Sequence, residues 1–224
     1  MDPVAARCER MRRGVLNAAR EIEDRQDQRQ ATGWRRWRPV MVTCTYADGV
    51  FMEPRHITKL LKNLRDWAGR RGFSLPYVWV LERGSRYGRL HYHVVVWTPP
   101  GFMLPKPDKQ GWWPFGSTRI ERARKPVGYI VGYAKKEKDK AGDPPPKGFR
   151  IHGCGGLKWA ERLRRAWWSA PRWVRECWPD PFEMPRPCPG GGWVSKVTGE
   201  WRDTPYVLCG FHAGCAVVKP RASP

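Results

Sequence analysis

The sequence predicts an α+β fold in which helices flank a central antiparallel β-sheet, with an N-terminal helix before it and an irregular C-terminal tail after it. Three observations lead to this prediction. Short runs of β-branched and aromatic residues are typical of strands, and apolar residues recur at helical spacing between these runs. The resulting order is strand, helix, strand, strand, helix.

The first predicted element is a polar and charged helix over about Pro3 to Ala31. Its apolar residues lie at helical spacing and are Met11, Val15, Leu16, Ala19 and Ile22. This pattern is compatible both with a helix that packs on the domain and with a loose arm. The first strand follows at Val40 to Tyr46 and ends at the turn signal Ala47-Asp48-Gly49.

A second helix is predicted after Pro54 and ends by Gly72. Its apolar positions are Ile57, Leu60, Leu61, Leu64, Trp67 and Ala68. Basic residues occupy other positions of the same helix, which indicates one buried face and one exposed face. We therefore expect this helix to cover one side of the sheet.

Two further strands are predicted at Tyr77 to Glu82 and at Leu90 to Trp97. The polar, Gly-containing segment Arg83 to Arg89 joins them, which suits an antiparallel hairpin. A Pro- and Gly-rich loop then leads to a short strand at Thr118 to Glu121, and a helix begins near Pro126.

The composition along the chain predicts three regions: an N-terminal helical arm over residues 1–38, an α+β domain over residues 39–157, and a basic, Trp-, Pro- and Gly-rich C-terminal region over residues 158–224. Residues Lys140 to Lys147 form a linker or an exposed loop. An amphipathic basic helix is predicted at Leu157 to Trp168, and a second break at Pro179 to Gly192.

The charge of the chain favours nucleic acid as the partner. Lys and Arg number 42 against 21 Asp and Glu, which gives a formal net charge of +21. The basic residues are spread from Arg7 to Arg221, whereas a membrane-surface protein more often concentrates them on one amphipathic helix. The 14 Trp residues, interleaved with Arg, suit stacking on single-stranded bases, although a Trp-rich core explains most of them.

The cysteine usage and the absence of targeting signals predict a cytoplasmic protein. The seven Cys residues are scattered and odd in number, unlike the paired cysteines of small secreted scaffolds. We find no N-terminal signal segment and no apolar run near 18 residues in length. We therefore expect a reducing cytoplasm and no membrane partner.

The tripeptide His91-Tyr92-His93 is the main candidate for chemistry. Side chains alternate along a strand, so both imidazoles point to one face and Tyr92 to the other. Glu82 ends the preceding strand, and a hairpin brings its carboxylate back towards the histidines. Two imidazoles and a carboxylate suit a Mg²⁺ or Mn²⁺ ion that polarises a phosphoryl oxygen. The alternative is two half-exposed strand histidines and a solvated strand end.

A nucleophile is expected on the helix that begins near Pro126. Tyr129 and Tyr133 are four residues apart and share a helix face, which Lys136 joins. Tyrosine has a reference pKa of about 10, so attack at neutral pH needs nearby positive charge or a base. Lys135, Lys136 or the metal supplies that charge. The alternative is a pair of aromatic core residues at helical spacing.

Together these motifs resemble the HUH endonucleases, specifically the rolling-circle replication initiators of filamentous and small icosahedral single-stranded DNA phages and of related plasmids. The first family motif is an apolar, Thr-containing strand, which Val42 to Tyr46 resembles. The second is His, a bulky residue and His, commonly with an acidic third ligand from the neighbouring strand. His91-Tyr92-His93 and Glu82 match it. The resemblance covers about Pro39 to Leu157.

The third family motif is a helix that carries the nucleophilic Tyr and a Lys three residues later, which Tyr133 and Lys136 match. Phage members often have a second Tyr one turn earlier, and Tyr129 fits that place. Many of them have Lys between the two tyrosines, where this chain has Gly132. The segment Trp113 to Gly116 also resembles the approach to that helix in phage members.

The resemblance implies a replication initiator that nicks single-stranded origin DNA with Mg²⁺ or Mn²⁺. The products are a 5′-phosphotyrosine and a free 3′-hydroxyl that primes rolling-circle synthesis. It also implies that Tyr133 makes the first cut and that Tyr129 acts at termination. Host helicase and polymerase are the expected partners, in the host bacterial cytoplasm if a phage encodes the chain.

Two other functions fit part of these observations. A non-catalytic single-stranded DNA-binding protein explains the charge and the aromatic residues but not the ordered motifs. An HUH transposase or relaxase shares the chemistry, although 224 residues leave no room for the motor of a large relaxase. In the tail, Cys209, His212 and Cys215 form a C-x-x-H-x-x-C run, with Cys177 and Cys188 upstream. Buried thiols explain these cysteines more simply than a Zn²⁺ site does.

Overall fold

A computed structural model of the chain describes residues 3–84, 89–128, 149–189, 191–212 and 215–221. Its centre is a five-stranded antiparallel sheet with the strand order β4-β1-β3-β2-β5. The strands are β1 (Arg38–Tyr46), β2 (Tyr77–Arg83), β3 (Leu90–Thr98), β4 (Gly116–Arg122) and β5 (His152–Gly155). The predicted α+β fold class is confirmed.

The central strand β3 is paired along its length with β1 on one side and with β2 on the other. Its residues Val94, Val95, Val96 and Trp97 are fully buried. A run of apolar residues without polar alternation is what a strand covered on both faces requires. Helices therefore have to pack on both sides of this sheet.

The N-terminal helix α1 (Pro3–Ala31) packs on the sheet face that carries Trp97. The Nε1–H group of Trp97 donates a hydrogen bond of 2.5 Å to Oε1 of Glu23. Farther along the same helix, a Cβ atom at Gly14 would lie 3.4 Å from Nε2 of His152 in β5. The apolar residues Met11, Val15, Ala19 and Ile22 are buried. Helix α1 is therefore a packed part of the fold and not a loose arm.

Helix α2 (Pro54–Gly69) covers the opposite face of the sheet, where Tyr92 lies. The side chain of Glu53 accepts from the backbone of His56 and the side chain of His56 from the backbone of Glu53, which closes a capping box at the start of the helix. Nδ1 of His56 is 3.1 Å from the hydroxyl of Tyr46. All six apolar residues predicted for this helix are buried.

Strand β5 is not predicted by the sequence, because His152-Gly153-Cys154-Gly155 has few β-formers. The two glycines lie opposite large aromatic residues of β2, in the pairs Trp79 with Gly153 and Tyr77 with Gly155. A Cβ atom at either glycine would lie within 2.5 Å of the neighbouring aromatic side chain. The glycines therefore let both rings lie across the edge strand.

The C-terminal region is built on helix α3 (Trp159–Ser169), which contacts α1, and on helix α4 (Arg172–Cys177). A small core of Ala170, Val174 and Trp178 holds a short three-stranded sheet of β6 (Arg186–Pro187), β7 (Trp193–Val194) and β8 (Trp201–Arg202) close to these helices. An antiparallel hairpin of β9 (Tyr206–His212) and β10 (Cys215–Pro220) follows, which the sequence does not predict. Among the described helices, none has the length and apolar character needed to cross a membrane.

Buried charges join α1 to α3. Nε of Arg164 donates a hydrogen bond of 2.8 Å to Oε2 of Glu21, and Nε of Arg25 lies 3.1 Å from Oε1 of Glu161. Glu21 and Glu161 are almost fully buried. Burial raises the pKa of Glu21 above its ordinary value, and the bond from Arg164 opposes this only in part.

We predict that Glu21→Gln changes how the stability depends on pH. Because the pKa of Glu21 is raised in the folded state, the folded protein binds a proton at pH values where the unfolded chain has released it. The stability contributed by Glu21 therefore falls as the pH rises from the ordinary glutamate pKa through the raised value. Gln cannot ionise, so the free energy of unfolding of the variant minus that of the wild type should increase over this window.

Urea unfolding at a series of pH values measures this difference. Glu176→Gln is the control, since the exposed pair of Glu176 with Arg172 contributes little to stability. A difference between Glu21→Gln and wild type that falls with rising pH would contradict the prediction.

Candidate functional site

The candidate site lies where β1 and β2 flank the start of β3. The antiparallel register places side chains of the three strands in two rows on one face of the sheet. One row is Thr43, His93 and Val80, and the next row towards the strand end is Thr45, His91 and Glu82. The structure therefore brings the predicted residues Glu82, His91 and His93 together on one face.

His93 is held from both sides by polar groups. Its Nδ1 atom is hydrogen-bonded to the hydroxyl of Thr43 at 3.2 Å. Its Nε2–H group donates a bond of 2.7 Å to Oε2 of Glu82 on the neighbouring strand. His93 and Glu82 are only 6% and 7% exposed, so this pair is shielded from bulk water. The two bonds leave the imidazole of His93 one orientation.

His91 has the same kind of support one row farther along. Its Nδ1 atom is hydrogen-bonded to the hydroxyl of Thr45 at 2.9 Å. The rings of His91 and His93 have centroids 6.2 Å apart and are tilted by 30°. Both imidazoles thus turn Nδ1 towards β1 and Nε2 away from it.

Gly84 lies against the imidazole of His91. Its N–H group donates a hydrogen bond of 2.7 Å to the carbonyl oxygen of Arg89, which joins the end of β2 to the start of β3. A Cβ atom at position 84 would lie 2.7 Å from Nε2 of His91. Only glycine leaves room beside this nitrogen at this close approach.

The opposite face of β3 supports the site from below. Tyr92 is fully buried there and contacts the rings of Tyr46, Trp79 and Trp113. Burial raises the pKa of Tyr92 to about 12 and raises the pKa of Tyr46 as well. Neither phenol can ionise readily, so both act as packing residues and not as nucleophiles.

The turn after β1 is tied to the site by charge. Arg89 precedes β3 and forms an ion pair with Asp48 of the turn Ala47-Asp48-Gly49. The next residues of this segment include Phe51, whose side chain is 90% exposed. The edge of the sheet that carries His91 is thus bordered by a basic residue and an exposed aromatic ring.

The donor set fits a hard divalent cation, although the present side-chain positions do not enclose one. In the part of the chain that the structure describes, no three His, Cys, Asp or Glu side chains form a group that could hold a metal ion. The direct bond between Glu82 and His93 explains this. Adjacent ligands of an octahedral Mg²⁺ ion are roughly 3 Å apart, so the 2.7 Å between Nε2 and Oε2 needs only a small opening.

The residues predicted as the nucleophile lie outside the described residues. These are Tyr129, Tyr133 and Lys136. The structure shows the predicted helix only at its start, where residues 126–128 are helical.

Sequence reasoning missed the roles of Thr43, Thr45 and Gly84 in orienting the histidines. The threonines had a signal, because their Thr-x-Thr spacing matches His-x-His when β1 pairs with β3. The position of Gly84 depends on how β2 and β3 are joined, and the sequence does not specify that connection.

The comparisons with known proteins agree with a role in replication. Residues 39–138 match the family model of the replication-associated protein ORF2/gene II protein. The matched segment contains β2 to β4 and all of β1 except Arg38, and it includes the two histidines, Glu82 and both candidate tyrosines. No curated protein and no solved structure matches the chain. The family match supports a replication initiator role and, with it, DNA binding.

We predict that Gly84→Ala displaces the imidazole of His91 without unfolding the protein. The added methyl group would overlap Nε2, so the ring has to move and its bond to Thr45 weakens. The imidazole ¹⁵N signals of His91 should shift, whereas those of His56 should not. Gly69→Ala is the matched control, because a Cβ atom there meets nothing within 4 Å. Unchanged His91 signals in Gly84→Ala would contradict the close approach.

Proposed function

We propose that the chain is a rolling-circle replication initiator of the HUH endonuclease class, which nicks single-stranded origin DNA by attack of a tyrosine beside a histidine-held divalent metal ion. The observation that carries this proposal is the pairing of His91 and His93 with Thr45 and Thr43 on one face, within reach of Glu82. This arrangement lies inside the segment that matches the replication-associated family.

His91, His93 and Glu82 are the residues that would hold the metal ion, through Nε2 of each imidazole and a carboxylate oxygen. Mg²⁺ and Mn²⁺ are the ions that suit two imidazoles and a carboxylate with positions left for DNA and water. When bound, the ion polarises a non-bridging phosphoryl oxygen and stabilises the charge that develops at the scissile phosphate.

The threonine hydroxyls have a second use in this proposal, because a hydroxyl both donates and accepts. With Nε2–H of a neutral His93 donating to Glu82, the Thr43 hydroxyl donates to Nδ1. Metal binding requires an Nε2 without its proton. The proton then resides on Nδ1, and the Thr43 hydroxyl turns to accept from it. The threonines thus stabilise the tautomer that presents Nε2 to the ion.

The nucleophile in this proposal is Tyr133, supported by its place in the family match and by its spacing to Lys136. Its phenolic oxygen forms a bond to the scissile phosphorus while the bond from phosphorus to the 3′ oxygen breaks. The phenol loses its proton, and the departing 3′ oxygen gains one to become a free hydroxyl. Lys136 lowers the cost of the phenolate by its charge.

Tyr129 provides the second nucleophile that a full replication round requires. When the regenerated origin is cut, the first tyrosine still carries the 5′ phosphate. A second phenol one helical turn away can attack the new junction, and the released 3′-hydroxyl then resolves the first phosphotyrosine. The net charge of +21 holds the strand during these steps.

We predict that nicking requires a divalent cation and the two histidines. His91→Ala and His93→Ala should lower single-turnover nicking at limiting Mn²⁺ by on the order of 100-fold or more, since even partners of metal ligands are worth about 10–100-fold. Affinity for DNA should change little, because phosphate contacts by Lys and Arg dominate it. Substrates are labelled oligonucleotides that tile the origin region of the encoding replicon.

Glu82→Gln should weaken Mn²⁺ binding in calorimetry while some nicking remains, because two imidazoles are kept. His212→Ala is the control, since this exposed histidine lies outside the family match. Wild-type nicking by either strand histidine variant at limiting Mn²⁺ would refute the metal assignment. DNA binding without any nicking by the wild type would favour a non-catalytic single-strand binding protein.

We predict that Tyr133→Phe abolishes the first covalent protein–DNA adduct. Tyr129→Phe should leave that adduct and impair the joining of the ends, because only the second cut needs it. Denaturing gels and peptide mapping of the trapped adduct measure this. Tyr206→Phe, a variant of an exposed tyrosine outside the family match, should behave as the wild type. DNA found only on Tyr129 would reverse the assignment, and DNA on neither would exclude the tyrosine mechanism.

A further inference from the structure

We propose that an aromatic groove in the C-terminal region is a second binding site for single-stranded DNA, separate from the candidate nicking site. The groove has a volume of about 530 Å³ and lies between the start of α4 and the strands β6 and β7. Its walls include Trp173, Trp193, Tyr206, Arg172, Pro171 and Pro187. We call this the Trp173–Trp193 groove.

The rings of the groove are anchored on one side and open on the other. Trp173 and Trp193 pack against the small core of Ala170, Val174 and Trp178, yet both remain half-buried. Tyr206 is 45% exposed. Rings held in place by a core form flat platforms, on which bases of any sequence can stack.

Glycine keeps part of the groove wall free of side chains. Gly191 and Gly192 line the groove, and both have positive φ angles, of 101° and 77°. A Cβ atom at Gly192 would lie 2.7 Å from the carbonyl oxygen of Arg202, so no side chain is tolerated there. The groove volume falls within the range of about 300–1,000 Å³ that is usual for small-ligand sites.

The charge around the groove favours a polyanion over an apolar partner. From residue 158 to residue 224 the chain has eleven Lys and Arg and six Asp and Glu. Arg172 lies on the groove wall with a side chain that is 87% exposed, and its partner Glu176 is also exposed. Exposed pairs of this kind are weak, so a phosphate group can replace the carboxylate at little cost.

The groove lies outside residues 39–138 and contains none of the proposed nicking residues. The inference therefore goes beyond the proposed function, although both expect single-stranded DNA as the ligand. A second site on the same chain raises the local concentration of the strand near the first site without adding to the chemistry. Its loss should weaken binding and leave the nicking of bound DNA unchanged.

The test uses the full chain and oligothymidylate that carries 5-iododeoxyuridine, a probe without an origin sequence. Irradiation should cross-link the probe to the groove, with Trp173, Trp193 or Tyr206 identified by peptide mapping. Tyr206→Ala should raise the dissociation constant about 5-fold or more, since stacking on one ring is worth at least about this factor. Tyr206→Phe keeps the ring and should bind as the wild type does.

Trp159→Ala is the matched control, because Trp159 is an aromatic residue of the C-terminal region that is at least as exposed as Tyr206 and lies outside the groove. Its affinity should not change. Circular dichroism of Tyr206→Ala should match that of the wild type, and the cross-link map tests the groove in the wild type without any variant.

Cross-links confined to residues 39–138 would overturn the proposal, as would equal affinity of Tyr206→Ala and wild type. Competition by a proline-rich peptide but not by unlabelled oligothymidylate would also overturn it, in favour of a peptide-binding groove. Cross-links in the groove of a wild-type protein that never nicks origin DNA would refute the proposed function and leave this inference standing.

Discussion

The double pairing of β3 is the constraint on which the rest of the structure depends. This strand is hydrogen-bonded to β1 and β2 along its length, and its valines are buried on both faces. Its register therefore cannot drift, and each side chain has a fixed neighbour on either side. The polar start of β3 inherits this rigidity from its apolar end. His91 and His93 are positioned by a sheet core that contains no chemistry of its own.

Much of the fold can be predicted because burial leaves periodic patterns in the sequence. The bounds of α1, α2 and the first four strands follow from apolar spacing of 3.6 or 2 residues. Strand β5 and the β9–β10 hairpin cannot be predicted on this basis. The glycines of β5 are selected by the rings of Tyr77 and Trp79, which are distant in sequence. The hairpin strands expose most of their apolar side chains, so they lack the alternation that marks a buried strand.

The candidate site is predictable where one strand or one hairpin determines it. The shared face of His91 and His93 follows from alternation, and the position of Glu82 across from His91 follows from the hairpin. The Thr43 and Thr45 contacts depend on which strand borders β3 on its other side, a matter of topology and not of local pattern. The roles of these residues stay predictions, as do those of Tyr129, Tyr133 and Lys136 and the three-region division of the chain.

The match between Thr-x-Thr in β1 and His-x-His in β3 restricts how this chain can vary in length. A one-residue deletion early in β1 would turn the strand over and bring Cys44 and Tyr46 to the positions of the two threonines. The histidines would then face a thiol and a bulky phenol in place of two hydroxyls. Insertions and deletions between related chains should accordingly collect in the loops and spare β1. An alignment that opens a gap within this strand would misplace both partners of the histidines at once.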